Sequence, residues 1–229
     1  MITPARLPVI IKRLERHYGR PRWQPRFSPV EELVFTILSQ NTTDTNAQRA
    51  LDSLRDRFPR WQDAASAGER SIAAAIRSGG LADAKARYIK GALAGILAAQ
   101  GDLSFGFLDQ MSDREAITYL TSFTGIGVKT ASCVLLFALG RPAMPVDTHV
   151  FRVAKRLDFL DVKATRQSAH RILGAITPPD DVYSFHVNLV RHGRQICKAA
   201  RPRCNDCVIE PLCPSSLATV ALMPFTPAN

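Results

Sequence analysis

Four cysteines crowd into residues 197–213: Cys197, Cys204, Cys207 and Cys213, spaced C-x6-C-x2-C-x5-C. The N-terminus holds only the short apolar patch Val9-Ile10-Ile11 and no signal-peptide core. The chain is therefore expected to stay where it is made, with its thiols reduced. Four close thiolates then imply a metal centre. Structural zinc commonly uses two C-x2-C pairs. This chain has one such pair and two uneven intervals, which suit a cubane iron–sulfur cluster at least as well. The fifth cysteine, Cys133, lies in an apolar stretch and reads as core.

A second group of residues could act on a polyanion. Thr124-Gly125-Ile126-Gly127-Val128-Lys129-Thr130 joins one helical segment to the next through a double-glycine turn. Glycines permit positive φ and let a phosphate approach the backbone, and a following helix points free N–H groups at it. The same spacing would also serve a plain helix connector. Lys129 stands where the next helix, predicted over Val128 to Leu139, becomes apolar on almost every face. Burial and a helix N-terminus both favour the neutral amine, the form that attacks an electrophile. A lysine that reaches solvent or holds a phosphate is the alternative. Asp147, in Pro145-Val146-Asp147-Thr148-His149, precedes an amphipathic helix, and its spacing alone predicts a helix cap.

The elements that must carry these residues all read as helices. Thr3-Pro4 predicts a start and Gly19 a stop. Ser28-Pro29-Val30-Glu31 and Ser112-Asp113-Arg114-Glu115 are capping boxes, the first opening the buried run Leu33 to Leu38. Further helices are expected from Asp44 to Phe58, over Trp61–Ala67 and Glu69–Arg77, and over Ala82–Gln100. No stretch alternates as a strand does, and no apolar run reaches the ~18 residues of a membrane helix. Pro224 and Pro227 suggest a frayed tail.

The net charge is +10 with a pI near 9.8. Seven basic residues against one acid lie between Arg6 and Arg26, and five with no acid between Arg191 and Arg203. Clustering of this kind is the footprint of nucleic-acid binding rather than of a uniformly solvated surface.

Taken together, the hairpin, the Val146-Asp147-Thr148-His149 segment and the six, two, five cysteine spacing resemble the helix–hairpin–helix glycosylases, specifically the endonuclease III family. The likeness runs from about Pro29 to Pro214. It implies an all-α fold of two helical domains with the active site in the cleft between them. One is a six-helix barrel over 25–141 containing the helix–hairpin–helix (about 112–139). The other is an iron–sulfur domain made of 1–24 and 142–214, followed by a tail at 215–229.

The resemblance also implies roles. Lys129 is similar to the nucleophile that attacks the sugar C1′ of an extruded nucleotide, and Asp147 to the carboxylate that assists it. Gly125 and Gly127 resemble phosphate contacts, and the four cysteines resemble the ligands of a 4Fe–4S cluster. Leu81 resembles a wedging residue. Gln40 or Asn41 takes the place of a glutamine that the family sets one position later and that fills the gap left by the base. Thr124 replaces the usual proline before the hairpin. The implied activity is that of a bifunctional DNA glycosylase and AP lyase removing oxidised pyrimidines. Its implied partner is double-stranded DNA with a damaged base or abasic site, bound by a monomer in the prokaryotic cytoplasm, at the nucleoid. The other readings are a glycosylase for mismatched thymine, uracil or a modified base, and a non-catalytic DNA-binding module with structural zinc. Lys129 argues against monofunctional relatives, which carry tyrosine or serine at its position.

Overall fold

A computed structural model describes residues 4–216. Thr3, expected to cap the first helix, and the tail beyond Ser216 lie outside the described residues. Among those residues every regular element is helical, and no helix is long and apolar enough to cross a membrane. The chain divides into two units: residues 24–143, and the described residues up to Trp23 joined with those from Met144 onward.

The contiguous unit is built on α2 (Pro29–Leu38), α3 (Asp44–Arg57), α4 (Trp61–Ser66), α5 (Glu69–Ala75), α6 (Ala82–Gln100), α7 (Asp113–Thr121) and α8 (Val128–Cys133). Both capping boxes form. Ser112 accepts from the Glu115 amide while Glu115 accepts from the Ser112 amide at 2.8 Å. Helix α2 is buried from Glu32 to Leu38, so the one buried charge, Glu32, needs an internal partner. Glu32, 0% exposed, receives two hydrogen bonds from Arg26, at 2.5 and 3.1 Å, and one from Thr36. The Arg26 guanidinium stands 4.5–5.1 Å from the rings of Phe27, Phe35 and Phe137, where the ring faces attract it.

One expectation is corrected here. The apolar helix predicted to run unbroken from Val128 to Leu139 keeps regular α geometry only to Cys133. A π-helical turn, Val134–Ala138, follows. The wider turn keeps Val134, Leu135, Leu136 and Ala138 all buried in a short segment, and such π turns are frequent at functional sites.

The discontinuous unit comprises α1 (Leu7–Tyr18), α9 (Thr148–Arg156), α10 (Arg166–Ile176) and α11 (Val182–Gln195). Helix α1 buries Leu7, Ile10, Ile11 and Leu14, one face at helical spacing, and packs on α11. It starts later than the Thr3-Pro4 signal predicted, because Pro4–Arg6 forms a 3-10 turn and the α-helix begins at Leu7. Gly19 ends it at φ +85, a conformation glycine adopts freely. At α11, Gly193 lets α9 approach: a Cβ there would stand 2.8 Å from that of His149.

Candidate active site and cysteine pocket

The hairpin turn between α7 and α8 is seated by Ile126, which is buried between its two glycines. Gly125 has φ +88, and the Tyr88 side chain occupies the space a Cβ would need, so no other residue fits. Gly127 differs from expectation. It takes an extended φ of −90, caps α8 and would have open space around a Cβ. Positive φ is thus required at Gly125 alone, and Gly127 instead leaves the start of α8 uncovered.

Lys129 lies in the first turn of α8, half-buried, one turn before Cys133. Burial pushes the Cys133 thiol up, and the charge and hydrogen bond of Lys129 partly offset this. Cys133 is core, as its surroundings in the sequence suggest. Lys129 and the hairpin glycines belong to the contiguous unit.

Asp147 belongs to the other unit and caps α9, its Oδ1 accepting from the Val150 amide at 2.7 Å. The segment leading to it is pinned twice. His170 donates to the Met144 carbonyl and His186 to the Pro145 carbonyl, both at 2.9 Å. A carbonyl can only accept, so each histidine carries its proton on Nδ1. Neither histidine was singled out from the sequence.

The four cysteines line one pocket, together with Arg156, His192, Ile196 and Ile209. Their loop contains little regular structure and is held by side-chain donors. Arg152 donates to the carbonyls of Cys197 and Gly193, and Arg156 to those of Lys198 and Ala199 and to the Cys197 sulfur at 3.2 Å. From the first turn and α1, Arg6 reaches the Leu212 carbonyl and Arg13 that of Val208. Burial pushes the Cys207 thiol up to about 11, and the neighbouring cysteines add to the shift. Thiols so placed lose their protons when a cationic group binds them. Among the described residues no three side chains are grouped to hold a single metal ion. A cluster offers each sulfur its own iron and needs no common point.

His192 links this pocket to α1. Burial pushes its imidazole down to about 4, so it is neutral near pH 7. Tyr18, its phenol pushed up by burial, hydrogen-bonds Nδ1 at 3.1 Å, and Nε2 faces the Cys207 sulfur at 3.5 Å. The neutral ring thus bridges the α1 phenol and the Cys207 sulfur, one nitrogen to each.

Gln40 and Asn41 follow the end of α2, and Leu81 follows the Arg77–Gly79 turn. Asn41 has φ +52 and Leu81 φ +51, and both are exposed.

Residues 34–179 match the model of the HhH-GPD superfamily of base excision DNA repair proteins. The chain belongs to this superfamily. Endonuclease III of Escherichia coli strain K12 is 32% identical over 89% of this chain and 92% of the relative. Endonuclease III of Sulfolobus acidocaldarius is 34% identical over 79% of each. An Arabidopsis thaliana protein named as a DNA glycosylase is 42% identical over 74% of this chain, which spans 58% of that longer relative. Among solved structures, a non-covalent endonuclease III–DNA complex matches with a TM-score of 0.80 at 26% identity, over 96% of this chain and all of the other. A thermostable thymine-DNA glycosylase, 18% identical, shares the fold with a TM-score of 0.75. The superfamily member described here is a base-excision DNA glycosylase with AP-lyase activity, of the endonuclease III kind.

Proposed function

We propose that the enzyme removes oxidised or ring-saturated pyrimidines from duplex DNA, using Lys129 as nucleophile and Asp147 as its carboxylate. The observation that carries this is the half-buried Lys129 at the head of α8, directly behind a turn whose Gly125 admits no side chain. C1′ of a stacked nucleotide is out of reach, so the damaged nucleotide is first extruded. Lys129 must then shed its proton, and Asp147 accepts it. The amine attacks C1′ and the base departs with the electrons of the glycosidic bond. The nitrogen then loses a proton and the C1′–O4′ bond opens, its electrons and a proton going to O4′, which leaves an iminium. The iminium loses a proton from C2′, and β-elimination breaks the C3′–O bond, the 3′ phosphate leaving with its electrons. Asp147 also steadies the positive charge that develops on the sugar. Its cap uses one oxygen and leaves the other for this work.

Gly125 and Gly127 hold the DNA backbone, while Leu81 and the Gln40–Asn41 turn fill the space the nucleotide leaves. Cys197, Cys204, Cys207 and Cys213 hold a 4Fe–4S cluster, which when bound ties the basic C-terminal loop into a single piece. The family likeness and the shared pocket of the four cysteines support this assignment. Arg156 and His192 orient the sulfurs.

Two measurements test the reading. Nicking of duplexes carrying thymine glycol, dihydrouracil, uracil, mismatched thymine, 8-oxoguanine or an abasic site should be fastest on the saturated pyrimidines and the abasic site. Preferential release of uracil or mismatched thymine overturns the substrate class. Purified protein should contain iron and acid-labile sulfide near four of each per chain, and stoichiometric zinc in their place overturns the cluster.

A further inference from the structure

Helix α6 buries Ala86, Ile89, Ala92, Leu93 and Ile96 along one face, and Lys85 lies on the same side of the helix, 1% exposed. A lysine there would ordinarily extend its ammonium to water. This one turns inward, and its Nζ donates to the Leu38 carbonyl at 2.7 Å and to the Gly79 carbonyl at 2.8 Å. Burial holds its pKa below the usual lysine value, so the charge is kept inside at a cost.

Both acceptors are the last residue of a helical element. Leu38 ends α2, and Gly79 ends the Arg77–Gly79 turn. Terminal carbonyls lack a partner within the helix and carry its negative end, so one ammonium answers two of them. Gly79 is packed tightly, since a Cβ there would stand 3.2 Å from that of Ala50 and 3.9 Å from the Leu38 oxygen. Beyond each carbonyl the chain enters a turn that ends on an exposed residue with positive φ. After Leu38 come Ser39, Gln40 and Asn41 at φ +52. After Gly79 come Gly80 at φ +70 and Leu81 at φ +51, an apolar side chain 59% exposed. Left-handed backbone at non-glycine residues costs about 1–3 kcal/mol each and persists only where the surroundings hold it.

The geometry points to Lys85 as a positioning residue that joins the Gln40–Asn41 turn and the Leu81 turn into one rigid two-pronged wedge, so that both enter the duplex together as the nucleotide leaves. This rests on the reading of the two turns as the parts that enter DNA. Extrusion costs a few kcal/mol, and a wedge already fixed in shape loses no freedom on insertion. Lys85 is 1% exposed with its ammonium on two backbone carbonyls, so it acts through the turns and not on the DNA itself.

The test compares Lys85→Met, which keeps length and removes the charge, with Lys85→Arg, Leu81→Ala and the pair Lys85→Met/Leu81→Ala. Borohydride trapping is measured on an abasic site in single-stranded DNA, where nothing is extruded, and in duplex. The fluorescence of 2-aminopurine opposite the lesion reports unstacking. Lys85→Met should slow duplex trapping about tenfold or more, equivalent to ~1.4 kcal/mol, and blunt the fluorescence rise. Single-strand trapping should stay within about twofold of wild type. Lys85→Arg should recover much of the loss. The double variant should be little worse than Leu81→Ala, because coupled residues are not additive. If Lys85→Met does not fold, Lys85→Gln, which keeps a donor, should show the same pattern more weakly. Equal slowing on both substrates, or an unchanged duplex rate and fluorescence, overturns the role of Lys85 alone. An unchanged fluorescence rise in Leu81→Ala overturns the wedge reading and Lys85's role with it.

Discussion

The two units are held together by different chemistry. The contiguous unit, residues 24–143, owns an apolar core from Val30 to Ala143, in which the two buried charges, Glu32 and Lys85, find internal partners. The discontinuous unit packs α1, α9 and α11, but its last stretch, from Cys197 to Cys213, depends on arginines that donate to backbone carbonyls and on four cysteines around one pocket. Apolar packing fixes a unit whatever it binds. Polar tethers fix a loop through separate hydrogen bonds to its backbone. Lys129, the proposed nucleophile, stands in the first of these units, whereas Asp147, the proposed carboxylate, caps the helix whose Arg152 and Arg156 hold the cysteine loop.

The largest effects should come from Lys129 and Asp147, one from each unit. Lys129→Gln should abolish borohydride trapping and base release with DNA binding nearly intact. Asp147→Asn should slow base release by about 10²–10³-fold yet hardly move the melting temperature, since asparagine caps a helix as well as aspartate. If Asp147→Asn melts the protein instead, the carboxylate is a structural cap and its catalytic role is lost.

Next, Leu33→Ala and Arg156→Ala should separate the two kinds of cohesion. Leu33 is fully buried, and its truncation should cost ~2–5 kcal/mol of global stability. Arg156→Ala should cost ~1–3 kcal/mol, with faster amide exchange confined to residues 197–216. Equal loss of protection in both units after Arg156→Ala would contradict a local tether.

Two glycines offer a finer comparison. Gly125→Ala combines positive φ with the Tyr88 side chain, so it should disturb the hairpin and weaken binding to an abasic duplex. Gly193→Ala should overpack the α9–α11 contact by ~1–3 kcal/mol and leave affinity for DNA almost unchanged. Titrations of a fluorescent abasic duplex against both variants decide the matter, and equal loss of affinity would remove the distinction.

The smallest effect concerns pH. Lys85 has its pKa lowered in the folded state. Between that value and the ordinary lysine value the unfolded chain binds the more protons, so folded stability rises with pH across that window. Denaturant midpoints of wild type should therefore gain on those of Lys85→Met as pH is raised toward 10. A constant difference would mean that the buried ammonium carries no penalty.

Much of this was legible in the sequence. Capping boxes at Ser28 and Ser112 act within one turn, so their residues are readable locally, and both form as expected. The same is true of Ala82–Gln100, whose bounds agree with the helix found. The limits of reading appear where a residue's partner is distant in the chain. Lys85 fell on the apolar face of its helix, a visible signal, but its partners at Leu38 and Gly79 depend on tertiary folding. Glycine spacing suggested two positive-φ positions in the hairpin, whereas the turn needs only one. The π turn after Cys133 has no signature in an all-apolar run, because any register there buries the same kind of side chain. Of the arginines that tether the cysteine loop, Arg6 and Arg13 were read only as positive charge and Arg152 and Arg156 were not singled out, since their acceptors are backbone atoms.

The pairing of α1 with α11 has a consequence for the order in which the protein is made. Tyr18 meets His192 across 174 residues of chain. At about 5–20 residues per second, a ribosome takes on the order of ten to thirty seconds to pass from one to the other. Throughout that interval Leu7, Ile10, Ile11 and Leu14 have no α11 to cover them, while residues 24–143 emerge in one stretch and can close their own core. Helix α1, made before residues 24–143, is thus docked after them.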